Sequence, residues 1–94
     1  EYPFEDLESR IEELKHHHET RCNEIRQALK KGVRTVFQIS AKISWSSHWT
    51  LMPFWTKRMA AAETLAHLAY MKRRGEIEEK VSNGVLYYSL KEQN

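Results

Sequence analysis

The 94-residue sequence has one cysteine (Cys22), two prolines and three glycines. A single cysteine excludes an internal disulfide and says little about redox compartment. So few chain breakers leave room for long helices. No apolar run approaches the ~18 residues of a transmembrane candidate. The N-terminus also lacks the basic-then-apolar pattern of a secretion signal, so a cytoplasmic location is the expectation, with no membrane partner. Charge of one sign is missing too: 15 Lys and Arg stand against 13 Asp and Glu, a net charge of +2. That balance excludes a protein held to a phosphate backbone by bulk charge alone.

What is present describes a folded domain. The chain is 40% hydrophobic and 30% charged, a globular rather than a disordered composition. Its length suits one domain with one core. The first residue is Glu1 rather than methionine, which fits a segment of a longer protein.

Apolar residues at Leu7, Ile11, Leu14, Ile25 and Leu29, with His18 and Cys22 in the gap, are spaced by threes and fours. This predicts one helical stripe over residues 6–31. Lys30-Lys31-Gly32 supplies a basic last turn and a glycine stop. Such a helix is roughly 35–40 Å long at ~1.5 Å per residue. Its first half is expected to project beyond a compact domain and lean on something else. Thr35 and Gln38 have the spacing of a capping box, and Val36, Ile39 and Ile43 give a short helix one buried face. Residues 44–56 hold Trp45, Trp49, Phe54 and Trp55 among serines and Pro53 with no period, which predicts a loop. A third helix over residues 56–74 is expected to bury Ala61, Leu65, Leu68 and Ala69, with Met59 and Met71 at the margins. Lys72-Arg73-Arg74-Gly75 ends it. Asn83-Gly84 between two β-prone runs is a hairpin signal, with Leu86, Tyr88 and Leu90 on one face and Val85, Tyr87 and Ser89 on the other.

The expected fold is therefore mainly α with a small β-hairpin: a winged helix-turn-helix of three helices plus a two-stranded wing, with a long first helix. Residues 1–5 are expected to be a linker, 6–90 the domain and 91–94 a frayed tail.

Particular residues add a resemblance. His17-His18-Glu19-Thr20-Arg21 with Ile25 downstream, Glu63 to Met71 around Ala66-His67-Leu68, and Gly75-Glu76-Ile77 stand in this order. Together they resemble the winged-helix domain at the C-terminus of metallo-β-lactamase-fold hydrolases, the β-lactamase-associated winged-helix domain. Tyr2-Pro3-Phe4 resembles the linker after the last catalytic loop of that family. The resemblance covers nearly the whole chain and is carried by order and spacing, since each motif is short. It implies a zinc-dependent parent hydrolase of ester, thioester or phosphodiester bonds. The family's histidine-x-histidine-x-aspartate-histidine zinc motif lies in a preceding catalytic domain and has no counterpart here. This chain is thus expected to be a non-catalytic accessory domain that packs on that catalytic domain and helps guide substrate to it. No catalytic, cofactor or metal residue is expected in the chain itself, and zinc is expected only in the catalytic domain.

The chemistry-bearing residues fit that expectation. His16, His17 and His18 are consecutive, so on a helix they point ~100° apart and do not converge on one metal. His18 and Cys22 share a face but lack the third and fourth ligands zinc requires. They complete the helix stripe, while Glu13, His17 and Arg21 have the spacing of a polar ladder. His67 beside the core is expected to be structural. A third helix reading Met59-Ala60-Ala61-Ala62-Glu63-Thr64-Leu65-Ala66 lacks the Arg, Lys, Asn or Gln that reads bases. The alternative of a free-standing winged-helix DNA-binding regulator is therefore disfavoured. Lys57 and Arg58 are candidate contacts to phosphate or an acidic substrate. Trp45, Trp49, Phe54 and Trp55 are the candidate docking residues, because large apolar groups in an irregular segment must be covered. Either they fold back over the small core, or they pack against the neighbouring domain. An isolated chain exposing them is a candidate for self-association.

Overall fold

The computed structural model describes residues 4–92, apart from the side chains of Phe4 and Glu5. The linker residues Glu1, Tyr2 and Pro3, and Gln93 and Asn94 of the tail, lie outside the described residues. Three α-helices precede an antiparallel hairpin: α1 (Phe4–Lys30), α2 (Val36–Ala41), α3 (Phe54–Arg73), β1 (Ile77–Ser82) and β2 (Val85–Leu90), with a 3₁₀ turn at Trp49–Leu51 before α3. The helix-plus-hairpin order is as expected. No helix among the described residues is long and apolar enough to cross a membrane.

The glycine stops act as backbone devices. At the end of α1, Gly32 takes φ 88°, its amide donates to Leu29 O at 3.0 Å, and the Val33 amide donates to Ala28 O at 3.1 Å. These paired bonds satisfy carbonyls that the helix end would otherwise leave open. The same pair ends α3, from Gly75 to Lys72 O and from Glu76 to Met71 O, both at 3.0 Å. α1 begins at Phe4, two residues before the expected start, so the linker gives way to helix earlier. α2 is capped by Thr35, whose hydroxyl accepts the Gln38 amide at 3.3 Å, and it closes at Ala41 rather than Ile43. α3 starts directly after Pro53, two residues before the expected Thr56. Proline presets the φ of a helix start and lacks only an amide with no helical partner there.

The core joins Cys22, Ile25 and Leu29 of α1 to Ile39 and Ile43 at α2, Leu68 and Met71 of α3, Ile77 of β1 and Tyr88 of β2. α3 differs from the expected register. Its buried residues are Ala60, Thr64, Leu68 and Met71, whereas Leu65 is 42% and Met59 71% exposed. Apolar residues stand at Ala60, Ala61, Ala62, Leu65, Leu68 and Ala69, so periodicity allows two stripes one residue apart. The register adopted buries Thr64. Its hydroxyl donates to Ala60 O at 2.9 Å, so burial leaves no polar group unsatisfied. Ser40 in α2 does the same with Val36 O at 2.7 Å.

In the hairpin Ser82 pairs with Val85 and Ile77 with Leu90. Asn83 and Gly84 sit at φ 51° and 77°, the two positive values a two-residue turn needs to match strand twist. Tyr88 is buried, Leu86 and Leu90 are half-buried on the core, and Val85 and Tyr87 face out, the alternation expected from sequence. The Tyr88 amide reaches Arg34 O at 2.9 Å, tying the link between α1 and α2 to β2. Lys91, expected in the tail, donates its amide to Glu76 O at 3.0 Å. Opposite Tyr88 lies Glu79, which accepts the Tyr88 hydroxyl at 2.6 Å and Lys72 Nζ at 2.9 Å. Hydrogen bonds from Tyr88 and then Lys72 hold the Glu79 carboxyl below its usual range. Burial, and then the bond to Glu79, push the Tyr88 hydroxyl above its own.

Leu68→Ala is expected to cost about 2–5 kcal/mol, as a buried leucine does, and Leu65→Ala less than about 1 kcal/mol. Urea melts of the two variants check the register of α3, and a reversed order would put the expected stripe back in the core. The Glu79–Tyr88 bond sets a pH dependence. A depressed carboxyl pKa adds stability that is present above the ordinary Glu range (~4.3) and lost as pH falls through it. A raised Tyr pKa adds stability that is present below ~10 and lost as pH climbs above it. Tyr88→Phe is expected to flatten both limbs of the stability–pH curve, leaving on the acid side only the part due to Lys72.

Candidate docking surface

Arg21 and Glu24, one turn apart on α1, fix the start of the aromatic segment. Glu24 accepts the Ser44 amide at 2.7 Å, and Arg21 donates to Ser44 O at 2.8 Å. Arg21 also pairs with Glu24 at 3.2 Å and lies 3.6 Å from Glu63 on α3. Its guanidinium sits 4.4 Å from the centre of the Trp45 ring, a cation–π contact. Its Nε is buried without a hydrogen-bond partner. The expected Glu13–His17–Arg21 ladder does not take up Arg21, because Glu24, Glu63 and the indole draw this side chain inward. Trp45 donates its ring N–H to Ser40 O at 2.8 Å and packs half-buried on the core.

The four docking candidates divide into two pairs. Trp45 and Trp49 fold back: Trp49 meets Phe37 edge to face at 5.0 Å and is half-buried. Phe54 and Trp55, in the first turn of α3, are 69% and 68% exposed. Trp45 thus packs on the core and Trp49 on Phe37 of α2, while Phe54 and Trp55 face outward. The outward pair belongs to a larger surface that sequence reasoning missed. Leu51 in the 3₁₀ turn is 76% exposed, and Met59 and Leu65 extend the face along α3. Ala62 and Ala66, also exposed, leave it flat. The signal was a second apolar run on α3, Trp55, Met59, Ala62 and Ala66, spaced by fours and threes, since a helix with two apolar stripes has two faces to cover. Lys57 and Arg58 lie at the start of this face. Lys57 Nζ is 5.5 Å from the Trp49 ring centre and the Arg58 guanidinium 5.8 Å from that of Phe54.

Basic groups at the far end of α3 are largely engaged. Besides Lys72 with Glu79, Arg74 donates to Tyr70 Oη at 3.0 Å and lies 3.9 Å from Glu76. Arg26 of α1 also meets Glu76, at 3.1 Å. The middle of α3 presents Met59, Ala62, Leu65 and Ala66, which carry no group for a base edge.

The histidines form a contact between α1 and α3. His18 packs against His67 at 4.9 Å and edge-on to Tyr70 at 4.4 Å. His67 Nδ1 lies 2.8 Å from Glu63 O. A carbonyl only accepts, so this nitrogen carries the proton. His16 and His17 are exposed. Cys22 Sγ is 3.8 Å from His18 Nε2, the spacing of a nucleophile–base pair. The thiol is buried, and burial first of all pushes its pKa up, the reverse of an activated nucleophile. Among the described residues no group of three or more His, Cys, Asp or Glu is placed to hold a metal ion.

Compared with known proteins, the chain matches no family model, no curated protein and no solved structure.

Arg21→Ala is expected to cost about 1–3 kcal/mol, as loss of hydrogen bonds to a charged group does, and to shift tryptophan emission as Trp45 loosens. Arg58→Ala, which touches an exposed ring, is expected to stay within about 0.5 kcal/mol. Thermal melts with fluorescence check both, and equal costs would refute the role given to Arg21.

Proposed function

We propose that this chain is a winged-helix docking module without a catalytic centre, and that it packs on the catalytic domain of a metallo-β-lactamase-fold hydrolase in the same polypeptide. The outward face of α3 carries the reading. In a winged helix the third helix occupies the recognition position, and its outer face normally presents base-reading or phosphate-binding groups. Here that face offers Trp55, Met59 and Leu65, continued by Phe54 and Leu51. Large aromatic and methionine side chains anchor protein–protein contacts, and an exposed apolar patch of this kind calls for a cover. The hairpin after α3 serves as the wing, and the Tyr88–Arg34 bond supports the assignment by setting the α1–α2 link beside β2.

The partner follows from the order His17, Arg21, Ala66-His67-Leu68 and Gly75, which resembles the C-terminal domain of those hydrolases. On this reading the zinc and the cleavage of an ester, thioester or phosphodiester belong to the partner domain. Lys57 and Arg58 at the margin of the face guide an acidic substrate toward it.

The reading frame upstream of Glu1 is expected to encode a domain with the histidine-x-histidine-x-aspartate-histidine motif. Expressed separately, that domain should bind this chain, and combining Trp55→Ser with Met59→Ser should weaken binding at least about tenfold, the size of a hot-spot loss, without changing the melting temperature. Absence of the motif, or duplex DNA binding at about 10⁻⁸ M in physiological salt, would replace this reading with a DNA-binding regulator.

A further inference from the structure

α1 has a second uncovered face, separate from the docking surface. Its apolar stripe runs without a break from Leu7 to Leu29, but only the part from Cys22 onward is buried; Leu7, Ile11 and Leu14 are exposed. The spacing changes where the cover ends. Leu7, Ile11, Leu14 and His18 follow steps of four, three and four, the repeat that keeps one seam facing a partner helix. The next step, to Cys22, is again four, which breaks the repeat as the helix enters the globular part.

The charges on one side of this seam, Glu8 and Lys15, are self-complementary. Arg10 and His17 flank it on the other. Two parallel copies would set Arg10 against Lys15 twice. Two antiparallel copies bring like sides together, so Glu8 of each meets Lys15 of the other and Arg10 meets His17. That arrangement has a two-fold axis between Glu12 and Glu13, sets Ile11 against Leu14, and brings Leu7 of one copy to His18 of the other. At His18 there is a shallow groove lined by Leu14, Lys15, His18, Glu19 and Tyr70, where an incoming leucine has apolar walls. Lys15 holds Glu12 only at 3.7 Å with both side chains mostly exposed, a weak pair that leaves it able to turn to Glu8.

We propose that two copies of this chain associate through the first half of α1, antiparallel and two-fold symmetric. This reading goes beyond the docking reading and shares no residue with the outward face of α3. Sedimentation equilibrium over a wide concentration range tests it. The mass is expected to rise from 11.2 kDa toward twice that value. Leu14→Lys should hold the chain monomeric with an unchanged melting temperature, because Leu14 is exposed. Lys15→Glu should weaken association at least about tenfold, and the exchange Glu8→Lys with Lys15→Glu should restore it. A chain monomeric to its solubility limit overturns the proposal, as does association indifferent to Leu14→Lys. Tighter association of Lys15→Glu would also overturn it, since that is the sign of a parallel pair relieved of Arg10–Lys15 repulsion. Trp55→Ser is expected to leave the mass unchanged, so this test and that of the docking face fail separately.

Discussion

The inward face of α3 depends on a hydroxyl that its own helix satisfies, that of Thr64. By donating to Ala60 O, Thr64 lies wholly inside without an unmatched polar group, which lets the Ala60–Thr64–Leu68–Met71 side face inward. A leucine at this position would be no more buried, but no such bond would be needed to seat it. The cost of seating a hydroxyl in the interior is offset by the helical geometry that brings the carbonyl four residues earlier within reach. The outward side then follows by elimination, and it holds Trp55, Met59 and Leu65. Core register and outer surface are thus two aspects of one rotation.

Arg21 links that rotation to the aromatic segment. Through one side chain, α1 reaches Ser44, Trp45 and, near its limit, Glu63 of α3. The segment between α2 and α3 has little regular structure of its own. Its geometry is set at one end by this ion-pair network and at the other by Pro53. With Trp45 and Trp49 turned in, Phe54 and Trp55 are left at the first turn of a rigid helix rather than on a wandering loop. Aromatic anchors on a helix lose less freedom when they bind. This is why the outward pair is the stronger half of the docking candidates.

Much of the architecture was legible in the residues. The glycine stops at Gly32 and Gly75, the Thr35 cap, the Asn83-Gly84 turn and the inward Tyr88 each depend on a local rule, and each stands where that rule puts it. The stripe of α3 was not legible. Met59, Ala60, Ala61, Ala62, Leu65 and Leu68 satisfy two registers, and a buried threonine counts against the one adopted unless its bond to Ala60 O is known. Arg21 was misread for a similar reason. Spacing along α1 pairs it with His17, but its partners Ser44, Trp45 and Glu63 come from elsewhere in the chain, and only the fold brings them near. The site was half visible: sequence picked out the aromatics, and burial sorted them into an inward and an outward pair.

The short Arg34–Tyr88 bond has a consequence for how neighbours approach the molecule. A two-stranded sheet has two free edges, and an unpaired edge is a template for strand addition. On the β2 side the Arg34 carbonyl already occupies part of the ladder. On the β1 side the exposed Glu78 and Lys80 place charge along the remaining edge, which disfavours pairing with a passing strand. With both margins of the hairpin guarded, backbone-to-backbone recruitment is closed off. A partner of the kind proposed would be met by side-chain packing on the helices, where specificity is set by shape rather than by the general hydrogen-bonding capacity of a chain.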